Sequence, residues 1–482
     1  MIHKILNSVY DPYHTSQSAR REAKVVAFLS FRAWLEHLRE TDRLVDVEVE
    51  VSLRYEVAAI AKRLDGRKAV MFHRPAGSSV PVASGLVSQR RWIAEALGCA
   101  PDDLVHRFRE ACEQPMPVAH VSEGDAPVYQ RVQTEGIDLL KTLPIPTHHE
   151  HDAGPYVTAG LVIVRDPATR KQNVAIHRLQ VTGPDRMGVL LLPRHTLHLF
   201  RQAEAAGRPL ECAVAIGVDP ATLIASQAST PFGVDELEIA SALRRQPLPV
   251  VRCRTVDVDV PAEAEIVIEG RILPHVREPE GPFGEFPRYY GPRSDKHVIE
   301  VTAVSMRDDP VYHTIVPAGY EHLLLGGIPR EASLFETVRQ LVPTVRAVHM
   351  TPGGSCRYHA VIAIRKTEEG QGKNAILAAF ANSFDIKHVV VVDEDVDIYN
   401  PEEVEWAIAT RFQADRDLVL VEQTQGSKLD PSTDDGLGSK MGLDCTVPLN
   451  ADPFRFRRIT IPGFGEMDWS RYGLTDSFEG KE

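Results

Sequence analysis

Apolar positions along the chain follow two rhythms, helical and alternating. Phe31, Trp34, Leu35 and Leu38 recur at helical spacing. Leu44 to Glu50 alternates instead, with Val45, Val47 and Val49 set against Asp46, Glu48 and Glu50, the pattern of a half-buried strand. Ser52 is placed to open a helix that buries Val57, Ile60, Ala61 and Leu64 and stops at Gly66. Short strands near Ala69 to Phe72 and Val80 to Ala83 follow, then a helix with Trp92, Ile93 and Leu97. A further helix, Pro101 to Cys112, has proline in its first turn. These pieces form an α/β unit closing near residue 115, preceded by a polar arm up to about residue 26 with a turn at Tyr10-Asp11-Pro12-Tyr13.

From about 116 to 320 alternation dominates. Strands are predicted at Val157 to Val164, Asn173 to Val181, Gly188 to Leu192, Cys212 to Gly217, Val250 to Val260, Ala264 to Glu269 and His297 to Ser305. Gly and Pro separate them at short intervals, which indicates a β-rich barrel or sandwich. Helices at His195 to Ala206, with Leu197, Phe200 and Ala203 on one face, and at Asp235 to Leu243 interrupt it. Beyond about 325 the α/β pattern returns: helices Glu331 to Leu341, Gly372 to Asn382 and Glu402 to Arg411, and strands Arg357 to Arg365, Lys387 to Val392 and Asp417 to Glu422. Lys387 to Val392 is apolar almost throughout, as in a sheet covered on both faces. The resulting division is 1–115, 116–320, 321–446 and a polar, Pro-rich tail, 447–482, with Trp469 and Tyr472, a candidate subunit contact.

The length, 482 residues, suits roughly two to four domains. A formal net charge of −13 argues against a general nucleic-acid binder, and no apolar run is long enough to span a membrane. Met1 to Lys24 lacks the apolar core of a signal peptide. The six cysteines are dispersed with no C-x-x-C pair, as expected of reduced thiols in a cytoplasmic protein.

The chemistry centres on Glu280-Gly281-Pro282-Phe283-Gly284-Glu285. Gly-Pro and Phe-Gly break regular structure, so this is a shaped loop that can aim two carboxylates into one cavity. Close carboxylates cannot both ionise cheaply, so one is able to hold a proton near neutral pH and act as general acid; an acidic surface turn is the plain alternative. On the strand Asn173 to Arg178, alternation puts Arg178 on a face with Val174 and Ile176. An arginine there is costly unless it pairs with an anion or snorkels to the edge, and the two glutamates are candidate partners. His148-His149-Glu150-His151-Asp152 could hold a metal, but its spacing fits neither a helical nor a finger site, and a solvated loop is expected. Asp393, Glu394, Asp395 and Asp397 lack EF-hand spacing and read as an acidic turn at a strand end. Gly436 to Gly442 reads as a glycine loop without a nucleotide-binding pattern. Taken singly, His195 at a helix start reads as structural, and Glu236 in a first helical turn reads as a surface acid favoured by the helix dipole.

Together these pieces resemble the UbiD family of prenylated-flavin-dependent decarboxylases over about residues 30 to 447. The resemblance rests on Asn173-x-x-x-x-Arg178, Pro193-Arg194-His195, Gly233-Val234-Asp235-Glu236, the Glu280 to Glu285 loop, the strand and acidic turn Lys387 to Asp397, and Gly436 to Asp444. It implies an N-terminal α/β domain, a central split β-barrel that binds the flavin, and a C-terminal α/β domain joined to the centre by a helix. It implies prenylated FMN as cofactor, lined by Thr158 and the strand with Asn173, Ile176, His177 and Arg178, with Arg194 and a phosphate-side Lys387. Asn173, His195 and Glu236 would bind a divalent metal, usually Mn2+, with K+ nearby; an amide oxygen, an imidazole and a carboxylate suit manganese. Arg178, Glu280 and Glu285 would form the catalytic network of a reversible, non-oxidative decarboxylase acting on an aromatic, heteroaromatic or α,β-unsaturated carboxylic acid. Glu280 would be the anion held by Arg178, and Glu285 the proton donor. A flavin prenyltransferase would supply the cofactor, and homodimers or homohexamers are expected. Arg288 and His177 stand where relatives vary, which leaves the substrate open; Arg288 is a candidate for a second acid group. The alternatives are an unrelated acid–base hydrolase using Glu280 and Glu285 with a metal at the histidine cluster, and a flavin-binding or assembly subunit without catalysis.

Overall fold

The computed structural model describes residues 27–473. The arm with its turn at Tyr10 to Tyr13 and the last residues of the tail lie outside the described residues.

The N-terminal part is a four-stranded sheet built from Leu44–Val51, Ala69–Pro75, Val82–Ser84 and Tyr312–His313. Its helix Phe31–Glu40 is capped by Ser30, which accepts from Ala33 N–H, and buries Phe31, Trp34, Leu35 and Leu38, as their spacing predicts. The next helix begins at Glu56, not Ser52; the Glu56 carboxylate reaches back 2.8 Å to the Ser52 N–H.

The centre is a curled half-barrel sheet of nine antiparallel strands. Two long strands, Ile266–Glu280 and Ser294–Met306, form its spine, and Glu280 is the last residue of the first. Three predicted strands are broken. Val157 to Val164 divides into Tyr156–Val157 and Leu161–Arg165, with Thr158 in the gap. Asn173 to Val181 divides into Gln172–Ile176 and Leu179–Gly183, so His177 and Arg178 occupy a gap as well. Alternation therefore does not assign Arg178 to a strand face; the break turns it instead. Val250 to Val260 likewise splits, into Pro249–Arg252 and Asp259–Pro261, in a separate small sheet.

The C-terminal sheet has the order Val345–Met350, His359–Ile364, His388–Asp393, Leu437–Cys445, Leu418–Gln425. The apolar strand is covered on both faces, by helix Gln371–Asn382 against Val389 and Val391 and by helix Pro401–Arg411 against Val390 and Val392. The acidic run is a strand-end turn in which Arg411 bonds to Asp393 at 3.0 Å and Asp395 at 2.6 Å. Leu437–Cys445 is a strand and not a glycine loop: a Cβ at Gly442 would overlap Ile376 of the covering helix, so glycine here is a packing residue.

A helix of 22 residues, Tyr320–Leu341, links the centre to this sheet. It begins well before the predicted Glu331. Gly326, Gly327 and Pro329 read as breakers, yet all three lie inside it. A side chain at Gly326 would overlap the guanidinium of Arg357, and one at Gly327 would press on Cys356. Close packing explains the glycines. In the first turn, buried Glu321 accepts from the N–H groups of Gly85 and Leu86 at 2.8 and 2.9 Å and lies 3.2 Å from His313 Nε2. This ties the N-terminal sheet to the linking helix. Glu321→Ala strands these donors in the interior and is expected to lower unfolding free energy by about 3 kcal/mol, read from urea denaturation.

Candidate active site

Glu280 and Glu285 leave the sheet on a loop pinned from several sides. Gly281 adopts φ +90°, a conformation open to glycine, and donates to Gln180 Oε1 at 2.9 Å. Gly284 donates to Asp152 Oδ1 at 2.8 Å, and Ala153 donates to the Pro282 carbonyl at 2.9 Å. Phe283–Gly284 pairs with Tyr290–Gly291, which fixes the stretch before Glu285. The histidine cluster therefore buttresses the loop; it does not gather as a metal site. His148 is buried with Nε2 2.9 Å from Thr314 Oγ1, and burial pulls it down to about 4, so it is neutral. His149 packs beneath Gly284, while His151 is exposed beside Tyr290. The expectation of a solvated loop fails at His148 because its partner, Thr314, is remote in sequence.

Arg178 lies between the two carboxylates. Its Nη2 is 2.7 Å from Glu280 Oε2, its Nη1 contacts Glu285 Oε1, and its side chain is 8% exposed. Glu280 is fully buried, with the Tyr156 hydroxyl 3.1 Å from its Oε1. The guanidinium touches both acids, so the ion pair alone does not distinguish them. Environment does. Burial pushes the Glu285 carboxyl above the ordinary range; Arg178 opposes this and the charge of Glu280 reinforces it.

A cavity of about 210 Å3 opens on this network. Thr158, Ile176, His177, Arg178 and Glu285 line it together with three residues that sequence reasoning missed: His322, Arg330 and Arg357. His322 Nδ1 accepts from Ala318 N–H at 3.2 Å, so its neutral ring carries the proton on Nε2. Burial and the neighbouring Arg357 and Arg330 pull it down to about 3. Arg330 bonds to the Gly326 carbonyl at 2.6 Å and Arg357 to the Cys356 carbonyl at 3.1 Å. Among the described residues neither has a carboxylate in ion-pair contact, and burial lowers both below the ordinary arginine value. The sequence signal available for Arg357 was the glycine pair Gly326-Gly327, where Gly326 makes room for its guanidinium. Arg288 is exposed and does not line the cavity.

Arg330 also borders a neighbouring cleft of about 650 Å3, where Arg194 and Lys440 join it and no acidic residue lines the wall. Lys387 lies in a recess that adjoins this cleft, sharing Phe384, Thr424, Gln425 and Lys440 with it, and bonds to Asp430 at 2.8 Å and Ser432 at 2.6 Å. That pairing holds the loop that carries Leu429 into the 210 Å3 cavity. Asn173 and Glu236 meet: Asn173 Nδ2 donates to Glu236 Oε1 at 3.1 Å, and Val174 N–H donates to Oε2 at 2.7 Å. Thr196 donates to Asn173 Oδ1 at 2.8 Å, and His195 precedes it at the helix start without a hydrogen bond to the pair. Among the described residues no group of three or more His, Cys, Asp or Glu is arranged to hold a metal ion.

Comparison with known proteins gives this arrangement its class. Three family profiles cover the chain in order, described as the N-terminal domain (residues 35–112), the Rift-related domain (119–320) and the C-terminal domain (323–445) of 3-octaprenyl-4-hydroxybenzoate carboxy-lyase. Anhydromevalonate phosphate decarboxylase of Methanothermobacter thermautotrophicus is 44% identical, over 86% of this chain and 96% of its own. Gallate decarboxylase of Lactiplantibacillus plantarum is 32% identical, over 90% and 95%. The solved structure of the UbiD-class enzyme HmfF from Pelotomaculum thermopropionicum in complex with FMN superposes with a TM-score of 0.91 at 58% identity, covering 92% of this chain and all of that one. An evolved dimeric form of the same enzyme in complex with prFMN gives 0.87 at 55%, with the same coverage. Fold, site and relatives define a carboxy-lyase. The chain belongs to the UbiD family.

Gly284→Ala would place a methyl group 2.6 Å from His149 Nδ1. The loop must shift, and Glu285 with it. Turnover is expected to fall about 100-fold, as for a misplacement of ~1 Å, with the thermal midpoint changed little; steady-state kinetics and calorimetry check this.

Proposed function

We propose that the protein catalyses the reversible, non-oxidative decarboxylation of an aromatic, heteroaromatic or α,β-unsaturated carboxylic acid with prenylated FMN. The observation that carries this reading is the single guanidinium shared by two buried carboxylates, one of which burial drives toward its protonated form.

The residues present fit such a cofactor. Thr158, Ile176, His177 and Arg178 would line its ring system, and the cleft of Arg194, Arg330 and Lys440, without a carboxylate, suits its phosphate end. Glu236 is buried without a bonded cation, and burial pushes its carboxyl up to about 8, an arrangement that a divalent cation would stabilise in the ionised form. With the Asn173 amide and His195 it offers the mixed oxygen and nitrogen set that suits Mn2+, with K+ nearby. Lys387 would have to leave Asp430 to reach a phosphate. The bound flavin supplies an electron sink for the carbon that loses carbon dioxide.

The remaining work falls to the chain. Arg178, anchored by Glu280, would orient the carboxylate that leaves. Glu285, held protonated, would deliver its proton to the carbon. Walls of Ile176, Leu190, Phe283 and Leu325 exclude water and strengthen these interactions. His322 N–H, Arg330 and Arg357 favour an acid that carries further acidic or oxygen groups, the role that sequence reasoning considered for Arg288. The named relatives act on different acids, so the physiological substrate is proposed only to this class.

Protein co-produced with a flavin prenyltransferase is expected to carry prenylated FMN and manganese, by mass spectrometry and elemental analysis; flavin-free protein would remove the reading. Glu285→Gln is expected to retain flavin and lose about 100- to 10,000-fold in turnover. A donor with a raised pKa is protonated below that value and lost above it. The rate of protonation should therefore fall with rising pH along a limb above the ordinary glutamate value of about 4.3. In Glu280→Gln the neighbouring charge is gone and Arg178 acts on Glu285 alone, so the limb should move to lower pH. A limb that stays in place would put the proton donor elsewhere.

A further inference from the structure

Tyr156 stands behind the trio of Arg178, Glu280 and Glu285 and is not among the residues that line the 210 Å3 cavity. It lies opposite Gln180 in a pair of short strands, is fully buried, and packs its ring on Phe283 with centroids 4.3 Å apart. Its hydroxyl thus has a fixed place and one proton, with three oxygens in reach. Gln180 Oε1 and Glu280 Oε1 are each at 3.1 Å, and the Pro282 carbonyl is at 3.4 Å. Gly281 N–H donates to Gln180 Oε1 at 2.9 Å, which turns the amide oxygen toward the hydroxyl. Two of the three oxygens can only accept. Glu280 Oε1 accepts when ionised and can donate when protonated.

The two oxygens of Glu280 are served separately. Arg178 takes Oε2 at 2.7 Å, and Tyr156 is the donor at Oε1 among the described residues. The charged groups that face Tyr156 and the two acids are Arg178 and Asp152, besides the acids themselves. The neighbouring strands present Gly188, on which the Glu280 side chain packs, and Ser294, which is opposite Glu280. Asp152 is already engaged by the N–H groups of His149 and Gly284. Tyr156 is therefore the neutral group whose proton can be turned toward one acid or away from it.

We propose that Tyr156 is a positioning residue that keeps the proton of the trio on Glu285, by turning its own hydroxyl proton to ionised Glu280. This deepens the proposed decarboxylation and rests on it for the role of Glu285. A hydrogen bond to a charged acceptor favours the ionised form by about 10- to 100-fold. Without it Glu280 competes for the proton, the hydrogen bond between Tyr156 and Gln180 no longer being available to balance the exchange. Where Glu280 wins, Glu285 is a carboxylate and has no O–H bond to break as the carbon–hydrogen bond forms.

Tyr156→Phe keeps the ring on Phe283 and deletes only the hydroxyl; circular dichroism verifies the fold. The acids share one proton and titrate as a pair. The low-pH plateau of the protonation rate is expected to fall about 10- to 100-fold. The descending limb at high pH should overlie that of the wild type, because protonated Glu285 beside ionised Glu280 is there set by Glu285 alone. The break between plateau and limb thus moves to higher pH, opposite to its movement in Glu280→Gln. An unchanged plateau overturns the proposal, and so does a rate lowered equally at every pH, the mark of a displaced loop. A second measurement needs neither flavin nor substrate. In flavin-free protein the infrared carbonyl band of a protonated carboxyl, assigned by its loss in Glu285→Gln, should change position in Tyr156→Phe. A band that stays in place overturns the proposal even if the loaded enzyme proves to decarboxylate no acid, a result that would remove the reaction and leave the infrared outcome to decide where the proton sits.

Discussion

One buried guanidinium shared by two buried carboxylates is the constraint that the rest of the site answers to. Opposite charges about 4 Å apart attract by about 4 kcal/mol in partly screened surroundings, while desolvation costs several kcal/mol per ion. The trio of Arg178, Glu280 and Glu285 is therefore no net source of stability. With both acids ionised it would also carry an uncompensated negative charge. A proton on one acid relieves that, and the less hydrogen-bonded carboxylate is the one to take it. Tyr156 stands by Glu280 and leaves Glu285 as that group.

Holding such charges in place requires a rigid frame, and the fold supplies it from distant parts of the chain. Glu280 ends a strand, Arg178 occupies a break between two others, and Asp152 and Gln180 fasten the intervening loop by backbone donors. Each anchor is itself buried or paired. A loop rich in glycine thus behaves as a fixed element, because its N–H groups are spent on particular acceptors and not on water.

Much of this was legible in the sequence. Gly-Pro and Phe-Gly marked a shaped loop, and the cost of burying Arg178 pointed to its partners. The reason given for Arg178 was only half right: the strand ends at Ile176, so the residue is turned by a break and not by alternation. The linking helix was legible only from Glu331, because Gly326, Gly327 and Pro329 imitate a terminus. Local propensity lost there to tertiary packing against Arg357 and Cys356. Gly436 to Gly442 misled for the same reason, since Gly442 makes room for Ile376. The histidine cluster was misread because its partner Thr314 lies 166 residues away, a distance over which periodicity carries no information.

Leu429 reaches the small cavity from the C-terminal domain, on a loop latched by Lys387 and Asp430. The wall that a substrate meets is thus completed by a second body. The way the two domains meet therefore helps set which acids are gripped.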